Sequence, residues 1–118
     1  MRMGNKYGAK KITDPATGFV FDSKKEFTRW CELRLLERAG RISKLRRQVK
    51  FVLIPAQYDG LKKLESDVSY IADFVYKDES GNEIVEDTKG YKRGAGYQLF
   101  VIKRKLMLQK FGIRIKET

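Results

Sequence analysis

Histidine is absent from this 118-residue chain, and cysteine occurs once, at Cys31. Without histidine there is no imidazole general base, no Ser–His nucleophile and no conventional histidine-bearing zinc site. A single cysteine excludes an internal disulfide and a multi-cysteine zinc site. Any catalysis must therefore rest on carboxylates, lysines and hydroxyls. No apolar run approaches the ~20 residues a spanning helix needs, and no basic amphipathic anchor stands out, so no membrane partner is expected. The opening Met1-Arg2-Met3-Gly4-Asn5-Lys6 lacks the apolar core of a secretory signal, which predicts an intracellular location. Internal repeats and low-complexity segments are missing too.

Acidic residues are in short supply: 15 Asp and Glu face 26 Lys and Arg, leaving a net charge of +11. So large a positive balance on a small chain points to a polyanionic partner, in the first place nucleic acid. The length fits one domain with a real core, and ordinary apolar and aromatic content argues against wholesale disorder. The charge is unevenly placed. From Asp59 to Asp87, nine acidic residues face only Lys62, Lys63 and Lys77, a local net of −6. An acidic centre within a cationic shell suggests a metal site inside a polyanion-binding surface. A solvated acidic hairpin accounts for part of the same count.

Residues 1–13 are basic and glycine-containing and predict a flexible arm, with one domain over 14–118. Asp14-Pro15-Ala16-Thr17-Gly18 reads as a turn and Phe19-Val20-Phe21 as an extended approach to a helix. Ser23-Lys24-Lys25-Glu26 fits a capping box, with Ser23 as N-cap. Phe27, Trp30, Cys31 and Leu35 then recur at helical spacing as a core stripe, Cys31 serving as a small packing residue, and Gly40 marks the stop. Val49, Phe51 and Leu53 alternate as a half-buried strand ended by Pro55. Ala56 to Asp67 is polar and reads as an irregular loop. A basic glycine-rich connector, Gly90 to Gly96, leads into a second helix over about 97–110. There Leu99, Ile102 and Leu106, with Phe100 and Met107, supply the buried side. Ile113-Arg114-Ile115-Lys116 alternates as a last strand.

The central stretch carries the chemistry. Tyr70-Ile71-Ala72-Asp73-Phe74-Val75-Tyr76 and Asn82-Glu83-Ile84-Val85-Glu86-Asp87-Thr88-Lys89 read as two strands joined by the loop Asp78-Glu79-Ser80-Gly81. Alternation puts Asp73 on the face of Ile71 and Val75, and Asp87 on the face of Val85 and Lys89, about 7 Å short of Lys89. Glu86 falls on the opposite face, as a support or surface residue. An inward carboxylate needs a partner or a metal. Asp87 and Lys89 could instead form a same-face ion pair.

The order helix, three strands, helix, strand, with Asp73 in the second strand and Asp87-Thr88-Lys89 in the third, resembles the PD-(D/E)XK nuclease superfamily. Ala72 stands where the motif's name would put a proline. Glu26 resembles the extra helical acid of many Holliday-junction resolvases in that superfamily, although a capping box uses the same position. Phe21-Asp22-Ser23-Lys24-Lys25-Glu26, Tyr70-Ile71-Ala72-Asp73-Phe74 and Val85-Glu86-Asp87-Thr88-Lys89-Gly90 also resemble segments of small phage-encoded, resolvase-like endonucleases. The resemblance implies an α/β (α+β mixed) restriction-endonuclease-like domain around a mixed four-stranded sheet. It further implies a Mg²⁺-dependent DNA endonuclease, with Mn²⁺ as substitute, acting on branched DNA such as a four-way junction in the cytoplasm of a bacterial host. Asp73, Asp87, the Thr88 carbonyl and Glu26 would be its metal ligands, and Lys89 would hold the attacking water or steady transition-state charge.

Lys24, Lys25, Arg46, Arg47, Lys92, Arg93, Lys103 and Lys105 are candidate phosphate contacts, which position DNA without reading its sequence. The two-fold symmetry of a junction suits a homodimer, with Trp30 and Phe100 as candidate interface residues. The competing readings are a restriction-, nicking- or transposition-type endonuclease, a non-catalytic nucleic-acid-binding module, and a basic packaging or adaptor protein.

Overall fold

The computed structural model describes residues 10–89 and 92–118. Ten elements follow one another: β1 (Ile12–Thr13), β2 (Val20–Phe21), α1 (Lys24–Arg38), β3 (Ser43–Ile54), β4 (Gln57–Asp59), β5 (Lys62–Glu65), β6 (Val68–Lys77), β7 (Glu83–Asp87), α2 (Ala95–Phe111) and β8 (Lys116–Glu117). Four of them form the central sheet in the order β3-β6-β7-β8. The first three are antiparallel neighbours, and β8 lies parallel to β7 after the crossover through α2. The chain is thus a mixed α/β protein with two helices on a mixed four-stranded sheet, a helix on each face.

Local chemistry explains the helix ends. Ser23 is extended and its hydroxyl accepts the Glu26 amide at 3.1 Å, as a capping box requires. The return bond differs: the Glu26 carboxylate accepts from the Asp22 amide at 3.3 Å. At the other end Gly40 takes φ +78°, while Gly40 and Arg41 donate to the Glu37 and Leu36 carbonyls. This is the paired bonding of a Schellman stop.

Several expectations are corrected. Trp30 is buried as expected, but Cys31 and Leu35 are exposed, and the helix buries Glu26 and Leu33 beside Trp30. On α2, Leu99 and Ile102 face solvent while Phe100 and Met107 are buried. Trp30 and Phe100 are core residues, unavailable to a partner. The 56–67 segment contains a small hairpin of β4 and β5 rather than an irregular loop. Ile113 to Ile115 packs against the core without pairing, and the last strand begins only at Lys116. Ile12 and Thr13, placed in the arm, pair with β2. The rest of the arm up to residue 9, and Gly90 and Tyr91 of the connector, lie outside the described residues.

The core is two clusters, one per face. Phe21, Trp30, Leu33, Ile42, Phe74 and Tyr76 pack under α1, with Leu45 and Ile84 beside them. Leu53, Tyr70, Ala72, Val75, Val85, Phe100 and Met107 pack under α2, with Val49 and Phe51. Strict alternation cannot produce this. In β6, Tyr70 and Ala72 share the α2 face with Val75, so the side-chain parity slips between Ala72 and Phe74. In β3, Leu45 lies on the α1 face but Val49 on the α2 face, so parity slips there as well. Register is kept, with Arg47 opposite Phe74 and Val49 opposite Ala72. The slip therefore falls on one rung, Gln48 opposite Asp73. Gln48 has φ +54°, a left-handed conformation that costs a non-glycine residue on the order of 1–2 kcal/mol. This is why Asp73 does not share a packed face with Ile71, which is exposed, and Val75, which is buried.

Candidate active site

Asp73, Asp87, Lys89 and Glu26 come together where β7 ends beside the parity slip. The β6–β7 register pairs Phe74 with Glu86, and one further step sets Asp73 opposite Asp87. Asp73 accepts a hydrogen bond from the Thr88 amide at 2.7 Å. That bond fixes its carboxylate on the far end of the neighbouring strand.

Asp87 is held from two sides. The Tyr70 hydroxyl donates to Asp87 Oδ1 at 3.0 Å. Lys89 Nζ lies 2.7 Å from Asp87 Oδ2, as an ion pair. The pair lacks hydrogen-bond alignment, since Oδ2 is buried with no hydrogen-bond partner. The Lys89 ammonium also sits 3.9 Å from the centroid of the Phe100 ring, a cation–π contact that keeps it in the site. Its own carbonyl accepts from Lys25 Nζ at 2.7 Å, tying the strand end to α1.

Glu26 enters from α1. It is 5% exposed, and its Oε2 lies 3.4 Å from Gln48 Nε2 and 4.0 Å from an Arg47 nitrogen. One side chain thus serves both as a capping residue and as the third acid of the group.

Electrostatics record the crowding. Burial pushes Asp73 up to about 7; the Thr88 amide pulls it down, and the charges of Asp87 and Glu26 push it up again. Burial likewise raises Glu26, with Asp22 and Asp87 contributing repulsion. Tyr70 is raised, first by burial and then by Asp87, so it remains a hydroxyl donor. Three acids thus crowd together against two cations, Lys89 at Asp87 and Arg47 at Glu26.

Directly behind lies a different acid. Glu86 is fully buried on the opposite face, as alternation predicts. It is a support and not a surface residue: Arg29 Nε and a terminal Arg29 nitrogen reach its two oxygens at 2.8 and 2.6 Å, and the Tyr76 hydroxyl donates to it. Burial alone would raise Glu86, but the bonds from Arg29 and Tyr76 outweigh it and leave its pKa below the ordinary value.

The end of β7 separates two recesses. Thr88 lines one of about 600 Å³, with Lys24, Lys25, Thr28, Arg29, Glu32, Lys116 and Thr118. Asp87 and Lys89 line the other, about 290 Å³, which includes Tyr70, Phe100 and Lys103. Of the candidate phosphate contacts, Lys24, Lys25 and Lys103 thus border the site. Arg46 pairs with Glu83 at 3.2 Å, and Lys92 lies 3.8 Å from Glu117. Lys105 lines a separate recess with Arg104 and Arg114, and Arg93 is exposed on the approach to α2. Arg47 is a correction: its guanidinium stacks 4.4 Å from the Phe21 centroid and 5.1 Å from that of Phe19, and it bonds the Val20 carbonyl. It is half-buried, and its place is in the core edge.

Tyr70 and Gln48 were not legible as site residues. A tyrosine in a strand reads as packing, and only the register reveals that its hydroxyl meets Asp87 across the sheet.

Among the described residues no group of three or more His, Cys, Asp and Glu side chains forms a ready metal cage. The donors nonetheless suit a hard cation. Mg²⁺ takes oxygen ligands, is commonly held by one or two carboxylates and keeps several waters. Two neighbouring aspartates, Asp73 held by the Thr88 amide and Asp87 by Tyr70 and Lys89, offer such oxygens. Among the described residues no helix is long and apolar enough to cross a membrane.

Fold and site together define a small basic α/β protein with an acidic pair, Asp87 buried and Asp73 half-buried, beside a lysine. The chain belongs to the family described as "Protein of unknown function (DUF1064)", whose model matches residues 4–117. No curated protein matches the chain, and no solved structure does.

Proposed function

We propose that this protein is a Mg²⁺-dependent DNA endonuclease of the PD-(D/E)XK type, with branched DNA as its substrate. The observation that carries the reading is Asp73 beside Asp87, both crowded by Glu26, with Lys89 at Asp87 and Arg47 at the edge of Glu26 as the neighbouring cations. A structural ion pair would neutralise itself, as Glu86 and Arg29 do. This group keeps an excess of negative charge that a divalent cation would balance. The order α1, β3, β6, β7, α2, β8 supports a restriction-endonuclease-like core, with the two small hairpins as additions.

Asp73 and Asp87 would hold the cation through carboxylate oxygens, with the Thr88 carbonyl and Glu26 as further oxygen donors. When bound, the ion supplies Lewis acidity and lowers the pKa of water. The remaining work belongs to the chain. Thr88 fixes the Asp73 carboxylate and Tyr70 fixes that of Asp87. Lys89, pinned over Phe100, would place its ammonium against the attacking water or the phosphoryl oxygens. Lys24, Lys25 and Lys103 would neutralise neighbouring phosphates. A homodimer would present two such sites to the two-fold axis of a junction.

The test is cleavage of a synthetic four-way junction and of linear duplex, with Mg²⁺ or with chelator. The expected result is Mg²⁺-dependent cleavage of the junction, abolished by Asp73→Asn with DNA affinity retained. Preference for linear duplex would move the assignment to a restriction- or nicking-type enzyme. Binding with no cleavage under any divalent ion would leave a nucleic-acid-binding module.

A further inference from the structure

Gln48 stands in the middle of β3 with φ +54°, a region that side chains other than glycine, asparagine and aspartate rarely enter. Among the described residues, the other non-glycine residue with positive φ is Lys44. Lys44 lies where the β3–β6 register shifts between Ser43 and Arg46, so an irregular ladder accounts for it. No shift occurs at Gln48. If the pleat alone required a left-handed residue there, glycine would serve with less strain. What glutamine adds is an amide, and that amide donates to Glu26 Oε2 at 3.4 Å. The same residue lies on the rung of Asp73. Strain of this kind, held inside regular structure beside a group of acids, points to a site role.

We propose that Gln48 is a positioning residue of the acidic site. Its left-handed backbone aims its amide at Glu26 and holds that carboxylate toward Asp73 and Asp87, so that Glu26 adds its charge to the pair that takes the cation. The inference rests on the nuclease reading and extends it to a residue outside the (D/E)-X-K pattern.

The experiment compares wild type, Gln48→Gly, Glu26→Gln and the double variant, by thermal melting and by Mn²⁺ binding followed by electron paramagnetic resonance without DNA. Gln48→Gly is expected to melt no lower than wild type, because the backbone strain is relieved, while Mn²⁺ affinity falls about tenfold. Glu26→Gln should lower affinity at least as far, and the double variant should fall no further than Glu26→Gln alone. Gln48→Asn tolerates the left-handed backbone but is one methylene shorter, and it should lose the same affinity as Gln48→Gly. Wild-type Mn²⁺ affinity in both Gln48 variants would overturn the inference and leave the glutamine a pleat residue, with the nuclease reading intact. Losses that multiply in the double variant would overturn it too, since Gln48 would then act independently of Glu26. If wild type takes up no Mn²⁺, the nuclease reading falls and this inference falls with it.

Discussion

Glu86 and Asp87 are consecutive on β7 and almost equally hidden, at 0% and 4% exposure, yet they live in opposite circumstances. Each receives a hydroxyl from a tyrosine on β6, Tyr76 to Glu86 and Tyr70 to Asp87. Glu86 also has both oxygens bonded by one arginine, which completes its needs. Asp87 shares its surroundings with two further acids, and its second oxygen is held by the Lys89 ammonium rather than by a two-point arginine fork. Burial alone does not separate a structural acid from a functional one; the balance of partners does. A satisfied acid stabilises the fold, whereas a crowded one stores a demand that a ligand can meet.

The largest expected effect is on activity. Asp73→Asn and Asp87→Asn should each lower Mg²⁺-dependent cleavage by on the order of a thousandfold, as loss of several kcal/mol of charge stabilisation implies. Glu86→Gln should leave the three site acids in place but cost about 3 kcal/mol of stability, because it breaks a buried pair; denaturant unfolding measures it. Its pH dependence sharpens the contrast. Glu86 has a depressed folded pKa, so its contribution is present above its ordinary 4.5 and disappears as pH falls through the lowered value. The stability gap between wild type and Glu86→Gln should therefore close in acid.

Asp73 carries the opposite sign. Its folded pKa is raised to about 7 from an ordinary 3.8, so its contribution is full below 3.8 and lost as pH rises through about 7. In chelator, Asp73→Asn should melt higher than wild type at pH 8, by on the order of 5 °C, and the two should converge near pH 4. A substitution that stabilises the fold while abolishing cleavage would mark Asp73 as retained for something other than folding.

The smallest effects separate the two tyrosines. Tyr70→Phe should reduce cleavage about tenfold through the orientation of Asp87. Tyr76→Phe should cost about 1 kcal/mol of stability with little change in rate. Reversed outcomes would break the comparison.

The sequence carried the helices, the β6–β7 hairpin and the inward Asp87, because capping chemistry, turn composition and alternation are local signals. Ser23, Gly40 and the faces of Val85, Glu86 and Asp87 follow from neighbours a few residues away. The parity slip was not legible. It depends on Gln48 adopting a left-handed conformation that its residue type disfavours. Leu35, Leu99 and Ile102 misled for a related reason: apolar spacing marks a helix but does not say which stripe the sheet will cover. Arg47 read as a phosphate contact because charge is visible in sequence, while the aromatic rings that enclose it are not.

The most direct measurement is an anomalous-scattering map from crystals soaked in millimolar Mn²⁺. The account predicts one strong peak touching carboxylate oxygens of both Asp73 and Asp87. A map with no peak there, or with manganese bound only elsewhere on the surface, would contradict it.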